Sequence, residues 1–226
     1  MKKLISVSLV MIFIGISIVK SQDCTFYFPS KPGTVMVVNH YKDKDKLTGT
    51  SKTKILEATG SAIKFSGEYY NDQNKLVNSG DYEVKCKNGE FVVDMSSFTR
   101  NMPILNNPNM KVDIQIDTLS IPSDLKPGMQ LKDGAVRMTM TNAGVAMMKI
   151  TIKIINRTVV DFEDVTTPAG TFNCAKITYD VESEGMMSTH TKAVEYVCRH
   201  AGVVKTESHD SNGKLLSYSL LNSITE

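Results

Sequence analysis

Apolar and polar residues alternate with period two along most of the chain, and no segment sustains a helical period. Met110, Val112, Ile114 and Ile116 alternate with Lys111, Asp113, Gln115 and Asp117. Met148, Ile150, Ile152 and Ile154 alternate with Lys149, Thr151 and Lys153, and near the end Leu216, Tyr218, Leu220 and Ile224 alternate with Ser217, Ser219 and Ser223. Such segments are half-buried strands. Further strands are predicted over 35–41, 47–59, 61–70, 75–87, 91–93, 136–140, 172–181, 194–198 and 203–209. In 172–181 the alternation is imperfect. Ala175, Ile177, Tyr179 and Val181 share one face, while Phe172 and Cys174 lie on the other, which implies cover on both sides or a bulge.

Turn chemistry punctuates these runs. Lys42-Asp43-Lys44-Asp45-Lys46 is a solvated hairpin tip, and Asn88-Gly89, Asn142-Ala143-Gly144 and Thr167-Pro168-Ala169-Gly170 are tight turns. Asp133-Gly134 is expected to join 129–131 to 136–140 as a hairpin. Asn212-Gly213 suits a turn with positive φ at both central residues. Residues 96–109, with Pro103, Pro108 and several asparagines, read as a connection. Many strands with closely spaced turns indicate an all-β fold, an antiparallel meander forming a single barrel or half-barrel. Covering or closing the edges avoids leaving long apolar strands exposed.

The first 21 residues stand apart. Lys2 and Lys3 precede an apolar run from Leu4 to Val19, and Val19-Lys20-Ser21 supplies a cleavage site. This is a signal peptide, 1–21, followed by a single all-β exported domain, 22–226. The run is shorter than a membrane-spanning helix needs, so the mature chain is not expected to span a membrane. Asp23 is unsuited to a lipobox before Cys24. The expected location is the periplasm or outside the cell.

Composition narrows the function classes. The whole chain carries a formal charge of +2, and removal of Lys2, Lys3 and Lys20 leaves 23 basic against 24 acidic residues. That balance lacks the basic excess of a nucleic-acid binder. Four cysteines in an exported chain imply two disulfides. Of the three possible pairings, Cys174–Cys198 joins strands close in sequence, and Cys24–Cys86 ties down the N-terminus. On the loop-entropy model these stabilise by about 3 and about 4 kcal/mol respectively.

The segments HYKDKDKLTGT, TTPAGTFNCAKI and VEYVCRHAGVVKTESHDSNGKLL resemble the TapB-like group of exported bacterial proteins, related to domain of unknown function 3108. The resemblance consists of an early glycine-punctuated hairpin, a threonine-proline-glycine turn into a cysteine strand, and a closing hairpin. It implies an exported β-barrel-like domain and carries no established active site.

Candidate chemistry is sparse. The chain has no G-x-S-x-G or H-E-x-x-H motif, and His40, His190, His200 and His209 stand at no triad or zinc spacing, so no catalytic residues are assigned. Met186, Met187 and His190 form a soft donor set without a second cluster. Asp43-Lys44-Asp45 and Asp210-Ser211-Asn212-Gly213 lack the closing glutamate of a calcium loop. Asn156-Arg157-Thr158 matches a glycosylation sequon by coincidence. No metal and no cofactor are expected.

The 13 methionines, in a chain without tryptophan, carry the remaining signal. Met110, Val136, Met138, Met140, Met148, Ile150 and Ile152 occupy faces expected to point inward, and methionine adapts to irregular apolar ligands. These residues are the candidate ligand-binding set. The expected function is non-catalytic binding of an apolar small molecule or lipid inside the barrel. The alternative is a structural or protein-interaction module of the envelope with a filled core, its partner an envelope protein.

Overall fold

The computed structural model describes residues 27–42, 44–87, 89–93, 110–143, 145–185 and 188–226. The leader, Cys24 and the connection over 96–109 lie outside the described residues. Among the described residues thirteen strands form one sheet. They are β1 (Val35–Lys42), β2 (Lys46–Ala58), β3 (Ala62–Asn71), β4 (Leu76–Lys87), β5 (Glu90–Val93), β6 (Met110–Ile116) and β7 (Ser120–Pro122). The second half adds β8 (Gly134–Asn142), β9 (Val145–Thr167), β10 (Gly170–Glu184), β11 (Thr189–Cys198), β12 (Gly202–His209) and β13 (Leu215–Thr225).

Every neighbouring pair is antiparallel, in the spatial order β6-β8-β9-β10-β11-β12-β13-β1-β2-β3-β4-β5-β7. The fold class is the all-β meander expected from the alternation. Its two outermost strands, β6 and β7, are consecutive in the chain and separated only by Asp117, Thr118 and Leu119. Three residues reach at most about 14 Å between the flanking Cα atoms. The sheet must therefore curl until its ends approach, although the two end strands do not pair. The result is a half-barrel rather than a closed barrel.

One side of the curl is the core. Met36, Ile55, Ile63, Phe65, Val84, Ala175, Ile177, Val197 and Leu221 are buried on the concave face. The end nearest the β9–β10 and β11–β12 turns is plugged by the segment before β1. There Tyr27 packs edge-on against Phe91 at 5.2 Å between centroids, and Phe28 against Phe65 at 5.5 Å. The Tyr27 hydroxyl donates to the Pro122 carbonyl at 3.1 Å, which holds the plug to β7.

Cys174 and Cys198 are direct cross-strand partners with Cα atoms 4.2 Å apart, and they form the expected disulfide. Cys174 and Ala175, on opposite faces of β10, are both buried. Of the two anticipated causes, cover on both sides holds: β10 pairs with β11 without a register shift, and the two bulges of this region place their extra residues on β9. Cys86 is disulfide-bonded as well, and its expected partner Cys24 lies outside the described residues.

Two turns differ from expectation. Asp133-Gly134 is not a hairpin: Gln130 pairs with Thr158 and Gly134 with Ile154, so both segments run along the same side of β9. The glycine serves close approach instead, since a Cβ at Gly134 would sit 2.7 Å from the Leu119 side chain. At the β12–β13 turn only Gly213 takes positive φ, and the Asp210 carboxylate accepts from the backbone amides of Asn212 and Lys214, each at 2.9 Å. That is an Asx-supported turn rather than the mirror-image turn expected.

Candidate functional site

Above the apolar layer, the concave face turns polar. Strand register places Glu195, Thr206, Ser219, His40 and Gly49 in one cross-strand row on β11, β12, β13, β1 and β2. The Thr206 and Ser219 hydroxyls hydrogen-bond to each other, and His40 Nε2 lies 2.7 Å from Ser51 Oγ. Ser51 continues the same face of β2 and pairs with Tyr69 on β3. The row is built by alternation, but its members come from five strands far apart in sequence.

Arg157 closes the other end of the polar layer. It is 4 % exposed, and its guanidinium donates to the Ser120 carbonyl at 3.1 Å and the Lys132 carbonyl at 2.7 Å. One side chain on β9 thus ties β7, at one end of the sheet, to the approach to β8 near the other. It points inward because Asn156 adopts positive φ, and a bulge there shifts the phase of β9. Ile150, Ile152 and Ile154 face inward before the bulge, and Arg157 and Val159 after it. Asparagine tolerates the left-handed conformation better than most residues, and its amide donates to Asp180 at 2.8 Å.

Burial sets the electrostatics. It pushes the Glu195 carboxyl up, partly offset by the Arg157 charge, and it pushes the Arg157 guanidinium down against the opposing pull of Glu195, Tyr179 and Asp133. Tyr179 is raised by burial and by the nearby Glu195 charge, and desolvation lowers His40. The His40–Ser51 contact has the first two members of a nucleophilic triad. Glu195 lies three strands from His40, about 14 Å at the usual strand spacing. Desolvation is the sole cause of the His40 shift among the described residues.

The sequence-expected residues fall elsewhere on this face. Val136, Met138 and Met140 on β8 pair directly with Ile152, Ile150 and Met148 on β9, and β6 adds Ile116, Ile114 and Val112 opposite them. Met110 opens β6 opposite Asn142. The structure brings these positions together as one apolar band on the arm formed by β6, β8 and β9. Met140 is buried, but Met138, Met148 and Ile150 are half-buried and Ile152 is 38 % exposed. The band is therefore a face of an open arm, not the lining of a closed cavity.

Met186 and Met187 lie outside the described residues, and His190 sits 3.4 Å from Asp180. Among the described residues no cluster of three His, Cys, Asp or Glu side chains is placed to hold a metal ion, and no helix is long and apolar enough to cross a membrane. Sequence inspection missed Arg157, Glu195, Tyr179 and the row through His40. The available signal was the phase slip after Ile154, where an asparagine interrupts a regular alternation.

The three-segment pattern and the open antiparallel sheet agree with comparison to known proteins. The chain belongs to the DUF3108-like family. The family model matches residues 31–221, which takes in the strands on both sides of the concave face. No match carries the narrower TapB-like assignment. No curated protein matches the chain. Among solved structures, one from Parabacteroides distasonis ATCC 8503, provisionally assigned as a lipoprotein, shares 27 % identity at a TM-score of 0.72. Another, from Bacteroides fragilis NCTC 9343, is provisionally assigned as an exported protein with a YmcC-like fold and shares 25 % identity at a TM-score of 0.69. Each alignment covers 90 % of this chain and 100 % of the other.

Proposed function

We propose that this DUF3108-like protein is an exported, non-catalytic binding protein of the cell envelope, working in the periplasm or at the cell surface. Its concave face takes an apolar or lipid-like ligand along the band of β6, β8 and β9. The descriptions of the two solved relatives support export, as does the basic-then-apolar leader. The observation that carries ligand binding is the half-buried apolar face of Val112, Ile114, Val136, Met138, Met148 and Ile150. A contiguous exposed apolar face costs solubility and commonly marks a binding surface, and methionine lets such a surface fit ligands of irregular shape.

Binding of a dansylated undecanoic acid, followed by fluorescence, tests this reading. The protein should bind the probe at micromolar concentration, and Ile150→Glu should weaken binding at least tenfold while the circular dichroism spectrum stays unchanged. Native mass spectrometry of protein purified from its own envelope should show a co-purifying lipid mass. Absence of both probe binding and a lipid mass would overturn the reading in favour of a protein-interaction module.

A further inference from the structure

A second feature of the concave face lies away from the apolar band, on β2, β3 and β4. Register places three rows of side chains there. Ser51, Tyr69 and Asn78 form the first, Thr53, Gly67 and Gly80 the second, and Ile55, Phe65 and Tyr82 the third. The middle row contains two directly paired glycines, so Thr53 supplies its one side chain and the neighbouring rows stand about 7 Å away on either side.

Each tyrosine reclines over a glycine on the neighbouring strand. Tyr82 lies over Gly67, where a Cβ would sit 3.3 Å from its ring, and it hydrogen-bonds Thr53. Tyr69 lies over Gly49, where a Cβ would sit 2.5 Å from the Tyr69 hydroxyl, and its ring centroid is 5.7 Å from that of His40. Phe65 stacks on Tyr82 at 5.0 Å and fixes that ring. Between the two tyrosines a pocket of about 270 Å³ remains, with the glycine backbone in its lining.

The chemistry of this slot limits its occupant. Lys52, Glu68 and Asp81 also border the pocket, but alternation sends their side chains to the opposite face. The side chains that share its face, Ser51, Thr53, Tyr69, Asn78 and Tyr82, carry hydroxyl, amide and aromatic groups and no formal charge. Without a cation facing inward, a phosphate or carboxylate gains no charge-assisted hydrogen bond to offset its desolvation. An acyl chain would add no hydrogen bond to these walls, where Ser51 and Thr53 would keep their partners His40 and Tyr82 and gain none. A ring with one apolar C–H face and a hydroxylated edge satisfies both kinds of wall: its face lies against a tyrosine, and its hydroxyls meet Ser51, Thr53 and Asn78. The volume admits one such ring and its substituents.

We propose that the slot between Tyr69 and Tyr82 is a binding site for a neutral saccharide unit. The site is distinct from the apolar band. Its test uses chitotriose and maltotriose as probes on the full mature protein, with saturation-transfer difference spectra and amide chemical shifts recorded together. The expected result is saturation of sugar ring protons by at least one probe, with shifts at Ser51, Thr53, Gly67 and Gly80. Asn78 is exposed, so Asn78→Ala should keep the fold and weaken binding at least tenfold. Thr53→Val provides a second, nearly isosteric probe and should weaken it as well. Ile150→Glu should leave sugar binding unchanged, which separates this site from the apolar band. No transfer at 10 mM of either sugar (roughly a 2.7 kcal/mol affinity floor) would overturn the proposal. So would shifts confined to other strands, or binding unaffected by both variants.

Discussion

The plugged end of the half-barrel and the arm formed by β6, β8 and β9 are written in the same alternating code, yet they end in opposite environments. Phe65, Ile55 and Ile177 at the plugged end have no measurable exposure, whereas Ile152 on the arm is 38 % exposed and Ile150 is half-buried. The outer faces are alike, since Lys149, Thr151 and Lys153 on the arm are as polar as the corresponding positions of other strands. The difference lies in what faces the inner side. At the plugged end the sheet curls on itself, and Tyr27 and Phe28 fill the remaining space. Alternation therefore defines which residues share a face, and curvature together with a plug decides whether that face becomes a core.

This contrast can be broken most severely at the plugged end. Phe65→Ala removes a ring that contacts both Phe28 and Tyr82, and it should cost about 4 kcal/mol in urea unfolding. A loss below about 1 kcal/mol would mean the plugged end is loosely packed. Next in size is the clasp between the two ends of the sheet. Arg157→Met should cost about 3 kcal/mol, because the Ser120 and Lys132 carbonyls lose charged donors inside the protein. Hydrogen exchange in β7 and β8 should rise in this variant before exchange in β12 does. A smaller effect is expected on the arm. Ile150→Ser should change stability by less than about 1 kcal/mol, as a partly exposed position away from a packed core. A loss as large as that of Phe65→Ala would show that the arm is covered in solution.

The finest test uses pH and addresses the polar layer between these regions. Desolvation lowers the His40 pKa in the folded state, so protons bind preferentially to the unfolded chain. Relative to His40→Gln, the unmodified protein should lose stability as pH falls below about 6.5. Burial raises the Glu195 pKa, so the folded state holds that proton more tightly. Relative to Glu195→Gln, the unmodified protein should gain stability as pH falls through the raised folded value toward about 4.5. Denaturation midpoints of the three proteins between pH 7.5 and 5 check both signs. Parallel curves would place both side chains in water.

Much of the fold was legible locally. Period-two alternation marked most strands within a few residues, and turn residues marked the antiparallel reversals from β1 to β2, from β4 to β5 and from β9 to β10. The Cys174–Cys198 disulfide followed from two strands adjacent in sequence. Where local signals failed, a tertiary demand had taken over the residue. Gly134 resembles a hairpin glycine but makes room for Leu119. The plug at Tyr27 and Phe28 shows no periodicity because it is not a strand.

The candidate sites divide in the same way. That Met138, Met140 and Met148 share a face with Val136, Ile150 and Ile152 was determined by the sequence, because the pleat sends every second side chain to the same side. Whether that face is enclosed was decided by the tertiary structure, through the curvature of the sheet. The row from Glu195 to His40, the inward turn of Arg157 and the slot between Tyr69 and Tyr82 depend on register between strands and on a bulge at Asn156. Register and bulges are settled by pairing over long sequence separations, and a shift of one residue moves every side chain to the other face. A single chain read in order carries the alternation but not the pairing, so the faces were legible and the sites were not.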